Sequence, residues 1–377
     1  MNYQIISNYS DLVSVCQQAM QVDTVMLDTE FVRVRSFYPK LGLIQLFDGT
    51  NACLIDPLAI DDLTPLADLM TNPAVTKVLH ACGEDLEVFQ HSLGCVPQPM
   101  IDTQILAAFV GYGVSTGFAA LVKEYIGVDL DKSESRTDWL ARPLSQSQLD
   151  YAAADVIYLA PMYQALLEAV QAKGWWDCAV QESALQITKR LKETNPEKAY
   201  LDIKGAWQLK PKSLAILQKL AQWRVEEAKR RDLALNFIIR ENDLLQIAKL
   251  GLISAQRMEQ EGIDPMALKR HSRRISELVK RGYEVAERDY PAAIIPLNDY
   301  PGYKQLFKSL KDKVKKVAEE NGLSPEFLAS RKQLNQLISH QWKIDLDSDT
   351  LPDLLQGWRL PLLGEELQAL VPPSPLG

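Results

Sequence analysis

The sequence predicts an α/β domain with a mixed sheet over residues 1–195, followed by two small all-α domains over 205–290 and 295–372. Three observations carry this reading. Short β-type runs crowd the stretch after residue 24 and then give way to alternating helical and extended patterns. Beyond Asn195-Pro196-Glu197 the β-type runs stop and helical spacing takes over. Within that helical half, Leu220, Ala228, Leu233, Phe237, Leu244 and Ile247 recur 90 residues later as Leu310, Ala318, Leu323, Phe327, Leu334 and Leu337, which reads as one all-α unit present twice.

Taken in order, a short helix is expected over 10–20, then a strand from Thr24 to Phe31. A basic, aromatic loop (Arg33 to Lys40) leads to a second strand, Leu41 to Phe47. Asp48-Gly49 is a hairpin-type turn before a third strand, Ala52 to Ile55. A helix near 61–70, a fourth strand from Val75 to His80 and a helix opening at Glu84 follow. An apolar segment, Ile101 to Val110, and a helix near 117–126 come next. The polar loop Asp131 to Asp138 precedes one long helix. Ser145-Gln146-Ser147-Gln148 is its capping box, and Gly174 suits the position just past its end.

Composition narrows the function classes. No apolar run reaches the length of a membrane span, and no basic start followed by an apolar core marks a signal peptide. The five cysteines are odd in number and lack C-x-x-C spacing, so they read as reduced thiols of a cytoplasmic protein. The net charge of −8 is unevenly spread. Residues 1–200 carry 13 Lys/Arg and 25 Asp/Glu, whereas 201–290 carry 18 and 13. An acidic front and a basic middle suit metal chemistry in one domain and attraction of a polyanion in the next, with ordinary charge scatter as the alternative.

Asp28 and Glu30 stand two apart on the first long strand, so both carboxylates project from one face. A pair of this kind more often faces water. Here two further carboxylates accompany it: Asp85, in the first turn of the helix after the fourth strand, and Asp155, four residues after Tyr151 on the long helix. Four carboxylates from three elements, without His or Cys ligands, suit a pair of magnesium-type ions. His80 reads as a satisfied core residue, and Asp102 and Asp138 read as caps. Phe31 and the Phe37-Tyr38 pair have the chemistry to stack on single-stranded bases, with core packing as the rival role. Arg136 suits a phosphate contact or a solvated loop charge.

In this order, L-D-T-E-F at 27–31, H-A-C-G-E-D-L at 80–86 and Y-A-A-A-D at 151–155 resemble the exonuclease motifs of the DEDD family, in its tyrosine-bearing subgroup. The runs L-G-L-I-Q-L-F-D-G at 41–49, I-D-T-Q-I-L-A-A-F at 101–109 and L-D-K-S-E-S-R-T-D-W-L-A-R-P-L at 130–144 are similar to the bacterial ribonuclease D branch. The block from Leu220 to Ala248 resembles the helical HRDC domain, an auxiliary nucleic-acid module, and the second copy is more divergent. The resemblance implies an RNase H-like exonuclease domain in which Asp28, Glu30, Asp85 and Asp155 hold two divalent ions, Mg2+ or Mn2+. It implies that Tyr151 orients the attacking water and helps to deprotonate it. The implied activity is 3′-to-5′ release of 5′-mononucleotides from RNA, chiefly tRNA precursors with 3′ extensions, by a monomer without a membrane partner. Two other readings stay open at this point: a single-strand DNA exonuclease of the proofreading type, and a non-catalytic RNA-binding scaffold.

Overall fold

The computed structural model describes residues 1–131, 133–193, 195–344 and 351–375. It divides into two compact units, one of Met1–Val32, Lys40–Leu191 and the described residues from Tyr300 onward, the other of Arg33–Pro39 and the described residues of 192–299.

The first unit opens with β1 (Gln4–Ile6), a strand too short to stand out in the sequence, and α1 (Tyr9–Ala19), whose N-cap Asn8 accepts from the Asp11 N–H. Three longer strands follow: β2 (Thr24–Val32), β3 (Lys40–Phe47) and β4 (Ala52–Ile55). Asp48 fixes the β3–β4 turn by accepting from the Thr50 and Asn51 N–H groups at 2.8 and 2.6 Å. Next come α2 (Thr64–Thr71), β5 (Thr76–Leu79), α3 (Gly83–Leu93) and β6 (Met100–Asp102). The sheet order is β1-β4-β3-β2-β5-β6. Strands β2, β3 and β4 are antiparallel neighbours; β1, β5 and β6 join by parallel pairing, which makes the sheet mixed as expected. Strand β2 thus lies inside the sheet, with Asp28 opposite Gln45 and Glu30 opposite Leu43.

The apolar stretch at 101–110 is not one element. Asp102 ends β6 and its side chain accepts from the Gln104 N–H, which starts α4 (Thr103–Phe109). After α5 (Phe118–Ile126), the single long helix expected from 145 to 173 is also two: α6 (Gln146–Ile157) and α7 (Leu159–Ala172), meeting at Tyr158. Pro161 accounts for the break, since it lacks the N–H that would reach the Ile157 carbonyl and its ring crowds that oxygen. Helix α8 (Trp176–Leu191) follows Gly174, which takes the left-handed φ of +73° anticipated for it. One face of the sheet buries Val25, Leu27, Ile44 and Leu46 against α1, α2 and α3 residues. The other buries Leu43 and Leu54 against Trp139 and the alanines Ala152 and Ala153 of α6. Gly42 permits this approach, because a β-carbon there would lie 2.5 Å from the Trp139 carbonyl oxygen.

The second unit packs α9 (Pro211–Arg231), α10 (Leu235–Ile238), α11 (Glu241–Leu250), α12 (Ala255–Gln260) and α13 (Pro265–Glu284) around Leu214, Leu217, Leu220, Ile247 and Ile275. The loop between β2 and β3 belongs to this unit. Phe37 packs against its core, the Ala234 N–H donates to the Arg35 carbonyl at 2.7 Å, and the Tyr38 N–H donates to the Asp232 carboxylate at 2.9 Å.

The first unit resumes with α14 (Tyr303–Asn321), α15 (Pro325–Leu328), α16 (Arg331–Gln341) and α17 (Glu365–Leu370). Helices α14 to α16 repeat α9 to α11 at the offset read from the sequence. The repeated phenylalanines diverge: Phe237 is 45% exposed, whereas Phe327 is buried edge-on against Phe109 of α4 at 4.8 Å. Beside Phe327, Arg359 is 3% exposed and pairs with the equally buried Glu182 of α8. Arg359 also donates to the Phe327 and Leu328 carbonyls at 2.9 Å, and the Trp358 indole donates to Glu182 at 3.0 Å. No helix among the described residues is long and apolar enough to cross a membrane.

Candidate active site

Strand β2 and helix α6 bring the acidic residues together. Alternation along β2 sends Asp28 and Glu30 to the face that α6 covers. The capping box at Ser145 and Gln148, with reciprocal bonds of 3.0 and 3.1 Å, sets where α6 begins and therefore where Tyr151 and Asp155 fall. Asp28, Glu30 and Asp155 each present a carboxylate oxygen within 4.8 Å of the others. Asp85, third residue of α3 and 7% exposed, stands outside that group. Its carboxylate accepts instead from the hydroxyl of Thr29, the residue between the two β2 acids.

Burial pushes all four acids up, and repulsion within the cluster adds to it for Asp28, Glu30 and Asp155. The Asp28 carboxyl lies well above the ordinary carboxylate range, from burial and then from Asp85, Asp155 and Glu30. Glu30 is raised to about 9 by burial and by Asp155 and Asp85. Asp155 is raised to about 7 by burial and Asp85. Asp85 reaches only about 6, because burial is partly offset by the bond from Thr29. Tyr151 is likewise pushed above its ordinary value by burial and then by Asp155, Glu30 and Asp28, so at neutral pH it is a phenol that donates.

A cleft of about 220 Å³ opens beside these groups, lined by Asp28, Tyr151 and Asp155 together with His80, Phe118 and Asp131, among others. His80 is therefore more than a core residue: its ring borders the cleft while its Nδ1 is bonded to the Thr103 hydroxyl at 2.9 Å. Asp102 caps α4 as expected, whereas Asp138 precedes no helix and instead holds a turn by accepting from the Leu140 N–H at 3.0 Å. Of the flanking residues expected to touch substrate, Phe31 is packed against the sheet core. Tyr38 belongs to the second unit, and Arg136 is an exposed loop residue. Sequence reasoning passed over Thr29, Phe118, Asp131 and Ser135. Thr29 sat inside a motif already singled out; the other three have no local signal.

The donor set tests well against a hard divalent cation. Three repelling, half-buried carboxylates with a fourth nearby, and no thiolate or imidazole among them, match the oxygen preference of Mg2+ or Mn2+. A bound cation also offsets the charge that holds these acids protonated.

Comparison with known proteins gives the same direction. Residues 3–171 match a family model described as 3′-5′ exonuclease, residues 213–279 an HRDC domain, and residues 301–367 the C-terminal HRDC domain of ribonuclease D. The chain is 50% identical over 371 residues to a ribonuclease D of Musicola paradisiaca, covering 98% of this chain and 99% of that one. It is 46% identical over 375 residues to the ribonuclease D of Escherichia coli, covering both chains fully. The crystal structure of E. coli RNase D, described as an exoribonuclease involved in structured RNA processing, superimposes with a TM-score of 0.95 over 98% of each chain.

Proposed function

Because the chain belongs to the ribonuclease D family and is a 3′-5′ exoribonuclease, we propose that it trims tRNA precursors with short 3′ extensions by two-metal phosphodiester hydrolysis. The observation that carries the proposal is the half-buried carboxylate cluster of Asp28, Glu30 and Asp155, with the buried Asp85 and with Tyr151 beside it. A non-catalytic scaffold has no use for acids that repel one another in this way. The relatives' RNA activity argues against a proofreading DNA enzyme.

In this reading Asp28, Glu30, Asp85 and Asp155 hold two divalent ions, Mg2+ or Mn2+. When bound, such ions supply the acidity that water needs as a nucleophile at neutral pH and offset charge on the leaving oxygen. Tyr151 orients the attacking water. Tyr151, kept protonated, donates its O–H to that water or to a phosphate oxygen. Water adds to phosphorus, the bond from phosphorus to the 3′ oxygen breaks, and a 5′-mononucleotide leaves with a new 3′ hydroxyl on the RNA. Phe31, Tyr38 and Arg136 touch the substrate in the same reading. The domain scheme of a catalytic module over 1–195 and helical modules over 205–290 and 295–372 goes with it, as do a monomeric state and a cytoplasmic site of action. The structured RNA substrates of the E. coli relative support a folded substrate with a free 3′ end.

The test is incubation with matched RNA and DNA hairpins bearing 3′ extensions, in Mg2+ and in chelator. Stepwise shortening of the RNA from its 3′ end, abolished by chelator, is the expected result. Faster degradation of the DNA hairpin, or cleavage that persists in chelator, overturns the proposal.

A further inference from the structure

The turn that launches α3 holds a residue in an unfavourable backbone conformation. Ala81 has φ +55°, in the left-handed region that a residue with a β-carbon adopts at a cost. It lies between His80, which borders the cleft, and the first turn of α3, which carries Asp85. The N-cap of α3, Cys82, makes no side-chain capping bond. Within the turn the Gly83 N–H donates to the Ala81 carbonyl at 2.7 Å, and the remaining hold comes from the next strand. Asp102, 4% exposed, accepts from the Ala81 N–H at 2.9 Å with one carboxylate oxygen and from the Cys82 N–H at 3.1 Å with the other. It simultaneously caps α4 through the Gln104 N–H at 2.8 Å, and its own N–H donates to Ser183 at 3.2 Å. Beside it, Thr103 donates to the Leu79 carbonyl at 3.0 Å. That bond uses the only hydroxyl proton, so the His80 Nδ1 is the donor to Thr103. Asp102 and Thr103 therefore clasp residues 79–82 from both sides.

We propose that Asp102 is a positioning residue for the metal centre, clamping Ala81 in its left-handed conformation so that α3 presents Asp85 to the other three carboxylates. This rests on the reading of Asp85 as a metal-site residue. The clamp needs a carboxylate and not merely a polar group. In Asp102→Asn one of the two oxygens becomes an NH2 that faces an N–H donor, so one clamp bond is lost and replaced by repulsion. Ala81 offers an independent handle. Its side chain is exposed, so a change there acts through the backbone and meets no packing.

The experiment measures Mn2+ binding by calorimetry alongside the metal dependence of single-turnover RNA cleavage. Asp102→Asn should raise the half-saturating metal concentration about five- to thirtyfold, the factor equivalent to one non-glycine residue's left-handed cost. The rate at saturating metal should fall much less. Adding Ala81→Gly to Asp102→Asn should recover most of that shift, since glycine takes the conformation without the cost. Should Asp102→Asn fail to fold, Ala81→Val keeps Asp102 and should by itself weaken Mn2+ binding. Ala81→Val with wild-type Mn2+ affinity, or a double variant no better than Asp102→Asn, overturns the clamp. Wild-type protein that binds no Mn2+ overturns the metal reading and the clamp together. Loss of binding in Asp28→Asn with the clamp variants unaffected leaves the metal reading intact and removes the clamp alone.

Discussion

Replacing Asp155 by Asn removes one of the four repelling acids and should stabilise the metal-free protein in a pH-dependent way. The folded chain holds the Asp155 proton up to about pH 7, whereas the unfolded chain releases it near the ordinary 3.8. Between those values the folded state binds more protons than the unfolded state, so stability falls as pH rises and levels off above pH 7. At 1.36 kcal/mol per unit, the cost is about 2 kcal/mol at pH 5 and about 4 kcal/mol by pH 8. His80, His271 and Lys77, whose burial lowers their pKa values, act in the opposite sense and cancel between variant and wild type. The assay is urea unfolding of both proteins in chelator from about pH 5 to about pH 8, repeated at saturating Mg2+. The variant's advantage should widen with pH in chelator and shrink or reverse in Mg2+, because wild type alone has the full ligand set to gain from the ion. An advantage that stays constant across the pH range, or that Mg2+ leaves unchanged, refutes the electrostatic account of the cluster.

Tyr151→Phe deletes one donor and leaves the carboxylates untouched. Single-turnover cleavage at saturating RNA should slow about 10²–10³-fold with Mn2+ and RNA affinity unchanged, and an unimpaired rate would strike Tyr151 from the mechanism. Arg359→Ala leaves Glu182 buried without its cation and should cost about 3–5 kcal/mol in urea unfolding. The paired change Glu182→Leu with Arg359→Met should recover most of that, and a double variant as unstable as the single one would contradict it. Lys269 and Arg270 are exposed on α13; changing both to Ala should flatten the log–log salt dependence of RNA binding by roughly 0.7–0.9 for each phosphate they neutralise. An unchanged slope would take that helix out of the RNA interface.

Period-two and helical spacing made the central chemistry readable. Asp28 and Glu30 share a face because strands alternate, and the capping box at Ser145 fixed the position of Tyr151 and Asp155. Pro161 was equally visible, yet a continuous pattern of apolar positions across 149–163 masked the break it makes. The rest depended on partners far away in the chain. Thr29 meets Asp85 across 56 residues, and Glu182 meets Arg359 across 177. Neither pairing leaves a local trace. Stacking and core packing stayed open for Phe37 and Tyr38 because their basic, aromatic loop has no periodicity. Its attachment to Asp232 and Ala234 exists only in three dimensions. The divergence of Phe237 from Phe327 has the same origin, since identical residues at repeated positions meet different neighbours.

The buried pairing of Glu182 with Arg359 also orders events during synthesis. The first unit starts at the N-terminus, but 168 residues separate Leu191, where its first part ends, from Arg359. At the usual rate of translation that gap lasts roughly 8–34 s. Throughout it, Glu182 has no cation, and Phe109 and Trp175 wait without the Trp358 ring that packs against both. The second unit has all of its residues once Asp299 is made, the Arg33–Pro39 loop having emerged long before. On the ribosome, the unit that begins first is therefore the one that finishes last.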